Sequence, residues 1–208
     1  MANWVILVGS PYDQGKCSNA ATRIADALRE LGSHVELFSC ARITVHGCIG
    51  CDRCKENFTC IYSDDLVRIS SALDEVDAVL VVSPIYFAGV PSQFKAVLDR
   101  FQPYFWKRQQ QVELGRPLPP KRALYVALVG EGGDPYGAAP AQAQVASPFA
   151  LADFSVVDAR DLIAVDEDTI VSETLRMIVQ GRGEERIWRV SLRLLPLRIP
   201  ERCSTDSD

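Results

Sequence analysis

Along most of this chain, short apolar segments alternate with stretches of helical periodicity, and this alternation limits the possible folds more than any other feature. Five segments are typical of buried strands: residues 3–8, 33–39, 77–82, 123–129 and 154–164. Strands that alternate with helices form right-handed parallel βαβ units within one sheet. The sequence therefore predicts an α/β protein with a doubly wound, five-stranded parallel sheet and a helical layer on each face.

The segments between these strands have apolar residues at helical spacing. Helices are predicted from residue 18, from residue 66, after Pro91 as a first-turn residue, and over residues 167–180. For the helix before the last strand, the candidate core residues are Ala143, Ala150 and Leu151. In doubly wound sheets ligands bind beyond the carboxyl ends of the strands, so the loops that follow Val8, residue 82 and residue 129 are expected to converge on one crevice.

Length and charge exclude several classes of protein. A chain of 208 residues is the size of one domain and buries roughly 70% of its unfolded surface. The net charge of −5 argues against a nucleic-acid partner, which requires a basic surface. The apolar run that follows Met1 is too short for a membrane span and has no basic leader, so we expect no membrane contact and a cytoplasmic protein with an intact N-terminus.

The loop after the first strand has the composition of an anion site. Residues 9–18 read Gly-Ser-Pro-Tyr-Asp-Gln-Gly-Lys-Cys-Ser, and they offer hydroxyls, backbone N–H groups and a helix N-terminus. The segment lacks the pattern G-x-G-x-x-G, which disfavours a dinucleotide-binding turn of the Rossmann type. It approaches a nucleoside-triphosphate-binding P-loop, but five residues rather than four separate Gly9 from Gly15, and Cys17 stands where a Ser or Thr would hold magnesium. A purely structural turn remains the alternative.

The loop after the third strand is rich in aromatic residues. Residues 83–91 read Ser-Pro-Ile-Tyr-Phe-Ala-Gly-Val-Pro, which puts aromatic rings and backbone donors at a strand's carboxyl end. A flat ring could stack there and be hydrogen-bonded along its edge. The alternative is a pair of core aromatics.

Taken together, residues 9–11, residues 83–87 and Lys95 with Asp99 and Arg100 resemble the NADPH-dependent FMN reductases of the flavodoxin-like superfamily, over roughly residues 3–165. The resemblance implies a flavodoxin-like αβα fold and a bound FMN. On this chain it places four residues around the FMN phosphate, mostly through backbone N–H groups: Ser10, Lys16, Cys17 and Ser18. It places seven around the isoalloxazine ring: Pro84, Ile85, Tyr86, Phe87, Gly130, Gly132 and Gly133.

This chain departs from the family pattern at Tyr12, where many members have a basic residue, and at Cys17, where Ser or Thr is usual. Tyr12 is kept among the candidate FMN-binding residues, and Lys16 is the candidate for balancing the phosphate charge. Lys95, Asp99 and Arg100 are interpreted as an ordinary surface ion-pair group outside the site, since Lys95 and Asp99 are i,i+4 neighbours.

Four of the seven cysteines lie within thirteen positions, in a loop inserted after the second strand. Cys48, Cys51, Cys54 and Cys60 have the spacing x2, x2, x5, which is typical of [4Fe–4S] ligation, whereas structural zinc usually takes two separated pairs. The motif also resembles that of the iron-sulfur flavoproteins in the same family. Such a segment can also persist without a cluster. The more distant Cys40 and Cys203 are interpreted as ordinary thiols, and His46 as a surface residue.

We divide the chain into a flavin-binding domain over residues 1–181, with the cysteine-rich loop at 40–63, and a C-terminal extension over 182–208. Arg182, Arg186, Arg189 and Arg193 recur at helical spacing beside apolar residues, a pattern that could dock on a membrane surface but more simply docks on the chain's own domain or on an oligomer partner. The resemblance implies a homodimer or homotetramer, in which a cluster can face a neighbouring subunit's flavin.

The leading hypothesis is an FMN-dependent oxidoreductase with a [4Fe–4S] cluster that passes electrons from NAD(P)H or ferredoxin to a small acceptor. One alternative is a cluster-free NAD(P)H:FMN or quinone reductase. Another is a non-enzymatic electron carrier or redox sensor, and the most distant is a phosphate-binding NTPase. No residue in the sequence stands out as a catalytic acid or base.

Overall fold

The structure, a computed structural model, describes residues 2–181. Five strands form one parallel sheet with the order β2-β1-β3-β4-β5, which confirms the predicted flavodoxin-like α/β fold. The strands are β1 Asn3–Val8, β2 His34–Ser39, β3 Ala78–Pro84, β4 Arg122–Gly130 and β5 Phe154–Ile163. The order reverses between β1 and β3, which is the switch point where such sheets bind ligands.

Both faces of the central strands are buried, and successive side chains enter two separate core layers. In β1, Val5 and Leu7 join one layer, while Trp4, Ile6 and Val8 join the other. This alternation follows from the two-residue period of a strand. Burial on both faces explains why these segments read as continuous apolar runs.

Helices cover both faces of the sheet. They are α1 Lys16–Glu30, α2 Cys54–Asn57, α3 Leu66–Glu75, α4 Ser92–Asp99, α5 Gln102–Glu113, α6 Ala139–Leu151 and α7 Glu167–Gly181. Helix α1 ends at Glu30, and Gly32, the residue after the C-cap Leu31, has a φ of +82° that suits glycine after a helix C-terminus. Pro91 precedes α4 as its N-cap and is not a first-turn residue as predicted.

Two helices were not expected from the sequence. The short α2 lies inside the cysteine-rich loop. Helix α5 follows α4 after a break at Arg100 and Phe101, and it buries no residue fully. Its polar composition hides the apolar periodicity on which helix prediction depends.

The predicted core positions of α6 are wrong. Ala143 and Ala150 are exposed and Leu151 is half-buried, whereas the buried side of the helix consists of Ala141, Val145 and Phe149. The true core residues are spaced four apart along one face, in register with the sheet below.

The predictions for the C-terminal extension, including Arg182, Arg186, Arg189 and Arg193, and for Cys203 lie outside the described residues. Within residues 2–181, no helix combines the length and the apolar character that crossing a membrane requires.

Candidate functional site

The loop between β1 and α1 folds around Tyr12. The Tyr12 N–H donates to Ser10 Oγ at 3.1 Å, and Ser18 Oγ donates to the Tyr12 carbonyl at 2.6 Å. Both serines are buried, and the Tyr12 side chain is 67% exposed. The two hydroxyls predicted to surround a phosphate therefore shape the loop itself.

The N-terminus of α1 is open toward this loop. Gly15 is the N-cap residue and no side chain caps the helix, so the first-turn N–H groups remain available to an anion. Cys17 lies in the first turn with its side chain in the core, 5% exposed, and burial raises the pKa of its thiol to about 12. Only the backbone of Cys17 can therefore serve an anion at the loop.

Close packing fixes the loop against β3. A Cβ atom added to Gly9 would lie 2.4 Å from Ser83 Oγ and 2.8 Å from Phe94 Cδ1. Only glycine fits at this position without displacing its neighbours. The sequence pattern Gly9-Ser10-Pro11 is thus explained by the approach of two strand ends.

Lys16 extends across the carboxyl edge of the sheet. Its Nζ lies 3.0 Å from Glu131 Oε1 in the loop after β4, and both side chains are at least half exposed. The pair joins the anion loop to the glycine-rich loop. Glu131 was not identified from the sequence, because a glutamate between glycines carries no pattern that indicates a partner.

After β3, residues 86–89 form a tight hairpin turn. Tyr86 and Gly89 exchange two backbone hydrogen bonds of 2.8 and 2.9 Å. The central residues Phe87 and Ala88 have φ angles of +50° and +56°, the conformation of a type I′ turn, which normally uses Asn and Gly. The Phe87 side chain is fully exposed, so no burial of this side chain compensates for the backbone strain.

A cavity of about 740 Å³ opens beside this turn, at the carboxyl ends of β3, β4 and β5. Ile85 and Phe87 form one side, and Gly130, Gly132 and Gly133 form the other. The alternative of a core aromatic pair is therefore wrong, because Phe87 is fully exposed. Pro84 and Tyr86 lie in or beside the same turn, and burial, with contributions from Tyr12 and Cys17, raises the pKa of Tyr86.

The residues present fit FMN. The cavity is walled by apolar side chains and by glycines, and a Cβ at Gly130 would approach Ile163 Cδ1 to 3.2 Å and narrow it. An uncapped helix N-terminus at the switch point suits the phosphate. The cavity is also lined by Glu131, Asp134 and Asp161. Neither lysine nor arginine is among its described lining residues, so no basic side chain there attracts the flavin phosphate.

The clustered cysteines line a second cavity of about 200 Å³. All four of them contribute to it, together with Arg100 and Trp106. Burial raises the pKa of the Cys54 thiol, and the other three thiols raise it further, which reflects their proximity. Within residues 2–181, however, no group of three or more His, Cys, Asp or Glu side chains lies close enough together to hold a metal ion. The donor set fits the chemistry of an iron-sulfur cluster, while the sulfur atoms do not form an assembled ligand set.

The structure contradicts the interpretation of Arg100 as a surface residue. It is 2% exposed and pairs with the carboxylate of Asp64, whose side chain is 8% exposed. Lys95 and Asp99 do form the expected i,i+4 surface pair. Sequence reasoning missed Arg100 because its partner lies on another element and arginines are rarely buried.

The chain is similar in sequence to known proteins. Residues 2–168 match the sequence profile of the family described as NADPH-dependent FMN reductase. An iron-sulfur flavoprotein of Methanocaldococcus jannaschii is 36% identical over 95 residues, which is 46% of this chain and 49% of that protein. An iron-sulfur flavoprotein of Archaeoglobus fulgidus is 34% identical over 101 residues, or 47% and 44%. The chain thus covers about half the length of these curated relatives.

Solved structures share the fold. An NAD(P)H:quinone oxidoreductase from Methanothermobacter marburgensis superimposes with a TM-score of 0.64 at 14% identity, over 88% of this chain and 96% of that one. An NADH:FMN oxidoreductase gives a TM-score of 0.58 at 16% identity, over 88% and 89%. These likenesses support the fold alone. The family match argues against the NTPase alternative.

Proposed function

Because the chain belongs to the NADPH-dependent FMN reductase family, we propose that it is an FMN-dependent oxidoreductase that passes electrons from NAD(P)H or ferredoxin to a small acceptor. We further propose that Cys48, Cys51, Cys54 and Cys60 hold a [4Fe–4S] cluster. The observation that carries the flavin assignment is the glycine-walled cavity beside an uncapped helix N-terminus at the switch point. In this proposal the flavin-binding domain covers residues 1–181, with the cysteine-rich loop at 40–63.

The residues of the flavin site act by binding and orientation. The free backbone N–H groups among residues 10–18 and the positive end of α1 hold the phosphate, and Lys16 is the nearby basic side chain. Ile85 and Phe87 on one side and the glycines of the β4 loop on the other hold the ring flat and limit the access of water. Bound FMN supplies hydride and single-electron chemistry, so catalysis rests on positioning and needs no acid or base.

The cluster assignment is supported by the cysteine spacing, by the shared cavity and by relatives whose names describe iron-sulfur flavoproteins. A bound cluster carries single electrons. Cys48 and Cys51 are exposed and Cys54 and Cys60 are half-buried, so the loop can take up iron from solvent.

Anaerobic purification followed by spectroscopy and analysis of iron and acid-labile sulfide tests both assignments. We expect a flavin spectrum overlaid by broad cluster absorption. Cys51→Ala should reduce iron to background and leave FMN in place. The matched control is Cys40→Ala, a buried cysteine that does not line the cavity of the four clustered thiols, and this variant should keep both. A colourless protein would overturn the flavin assignment.

A second candidate is a cluster-free NAD(P)H:FMN or quinone reductase. It is favoured by one observation, namely that the cysteine sulfurs within residues 2–181 form no assembled ligand set. Flavin without iron or sulfide in the anaerobic protein would select this candidate. A non-enzymatic carrier would bind FMN but oxidise neither NADH nor NADPH above background with any acceptor.

A further inference from the structure

Arg100 follows the last residue of α4 and has almost no contact with solvent. Its side chain is 1% exposed. A guanidinium is buried only where a countercharge and hydrogen-bond acceptors replace water. The contacts of Arg100 therefore indicate what it was buried to hold.

Those contacts lie on both sides of the cysteine-rich loop. Arg100 Nη1 donates to the His46 carbonyl at 3.3 Å, and Nη2 donates to the Tyr62 carbonyl at 3.3 Å. His46 is two residues before Cys48, and Tyr62 is two residues after Cys60. One rigid, planar group thus binds both ends of the segment that carries all four thiols.

The two loop ends also contact each other. The His46 ring stacks on the Tyr62 ring with centroids 4.8 Å apart, and the Arg100 guanidinium lies 5.2 Å from the Tyr62 centroid. The three side chains stack on one another at the base of the loop. The loop is therefore closed independently of anything bound inside it.

Asp64 completes the arrangement. Its carboxylate accepts hydrogen bonds from Arg100, from the His46 N–H at 2.9 Å and from the Leu66 N–H at 3.2 Å. Burial alone would raise the pKa of Asp64, but these bonds outweigh burial and the pKa lies below its ordinary value. Asp64 therefore stays ionised at neutral pH and holds the loop base against the start of α3.

One donor of Arg100 remains unused. Its Nε is buried, and no hydrogen-bond partner for it exists among residues 2–181. Arg100 also lines the cavity of the four cysteines. Buried donors without partners are rare and call for an explanation. Hydrogen bonds to sulfur are one of the factors that set the reduction potential of an iron-sulfur centre.

We propose that Arg100 is a positioning residue of the cysteine site. With Asp64, it fixes both ends of residues 46–62 before any metal binds, and its free Nε–H serves the sulfur atoms of the loaded site. The first part stands on the loop geometry alone, and the second part rests on the proposed cluster.

Arg100→Lys tests the first part in iron-free protein. Lysine keeps the charge but cannot bond two carbonyls and a carboxylate in one plane. Hydrogen exchange of the hydrogen-bonded amides within the loop, those of Lys55, Glu56 and Phe58, should accelerate at least about tenfold, because charge-assisted bonds at both loop ends are lost. The control is Lys95→Met on the adjoining helix α4, which removes only an exposed ion pair and should leave the exchange unchanged. Exchange at the wild-type rate in Arg100→Lys would overturn the positioning role.

The loaded protein tests the second part. After reconstitution with iron and sulfide, the midpoint potential of the Arg100→Lys cluster should be more negative than that of the wild type, and an unchanged potential would overturn the role of Nε. If wild-type protein takes up no iron, the proposed cluster fails, while the exchange experiment still decides the role of Arg100. Should Arg100→Lys not fold, Asp64→Asn provides the same exchange measurement with the carbonyl contacts kept, and it too should accelerate exchange.

Discussion

Replacing Phe87 by glycine should stabilise the flavin-free protein and weaken flavin binding. Phe87 has a φ of +50° and its side chain is 100% exposed, so the folded chain bears the cost of a left-handed residue without gaining any burial. That cost is about 1–2 kcal/mol for a residue with a Cβ. Glycine removes it but adds about 0.5–1 kcal/mol of chain entropy in the unfolded state. The difference between these ranges is a gain of about 0–1.5 kcal/mol, centred on about 0.75 kcal/mol.

Thermal unfolding of the flavin-free protein, followed by circular dichroism, measures this gain. For a chain of this length, 1 kcal/mol corresponds to a Tm shift of roughly 2–4 °C, so Phe87→Gly should raise Tm by about 1–4 °C. Tyr136→Gly is the matched control, because Tyr136 is 78% exposed but is not among the residues with positive φ. The control should lower Tm slightly, since only the entropy cost of glycine remains.

The same variant should bind FMN less tightly. Phe87 lines the proposed ring site, and loss of an aromatic contact there costs about 0.5–1.5 kcal/mol, or roughly a two- to tenfold rise in Kd. Flavin fluorescence quenching measures this Kd. The reasoning is refuted if Phe87→Gly lowers Tm as much as Tyr136→Gly does. Opposite signs for stability and binding would instead mean that the turn keeps its strain for the sake of the ligand.

Three further results are expected. In flavin-free native protein at pH 8, iodoacetamide followed by mass spectrometry should modify the exposed Cys48 quickly and the buried Cys17 and Cys40 slowly, because burial raises the pKa of both buried thiols to about 12 and the thiolate is the reactive form. Since both pKa values are raised, their stabilisation is complete below the ordinary thiol pKa near 9 and is lost as pH rises toward 12, so the free energy of unfolding should fall between pH 8 and pH 11. Lys16→Gln should raise the Kd of FMN by up to about fivefold, and Glu131→Gln, which frees the lysine, should lower it, both effects being modest for exposed charges. Riboflavin lacks the phosphate, so its Kd should be the same in both variants as in the wild type. If Lys16→Gln weakened riboflavin binding as much as FMN binding, the role of Lys16 would be contradicted.

The strands were predictable because their signal is local. The apolar runs at residues 3–8 and 77–82 are explained by burial on both faces, and neither depends on knowing a distant partner. The same holds for the last helix, Glu167–Gly181, whose predicted range of residues 167–180 ends one residue short.

Features set by distant partners were not predictable. Arg100 is buried through its bonds to Asp64 and His46. These partners precede it by 36 and 54 positions in the sequence, so no local pattern reveals them. The register of α6 depends on which side of the helix meets the sheet, and Ala-rich sequences such as this one give little preference among faces. The strained turn was not predictable either. A type I′ turn is predicted from Asn and Gly at its two central positions, and this chain has Phe87 and Ala88 there.

Helix α4 connects the two candidate sites. It begins after the Phe87 turn and Pro91, and it leads directly into Arg100. Its eight residues span about 12 Å at 1.5 Å per residue. Among the described residues, the flavin cavity and the cysteine cavity share no lining residue.

Helix α4 therefore lies between the turn that lines the flavin cavity and the arginine that lines the cysteine cavity. Phe94, Val97 and Leu98 anchor this helix in a close-packed core, which leaves it little freedom to shift. A long, exposed loop would otherwise let the thiols drift relative to the flavin cavity, and electron transfer weakens steeply with distance. In the role proposed for Arg100, its bonds to both ends of the loop hold the thiols at the end of α4, so that their distance from the flavin cavity is a property of the rigid fold.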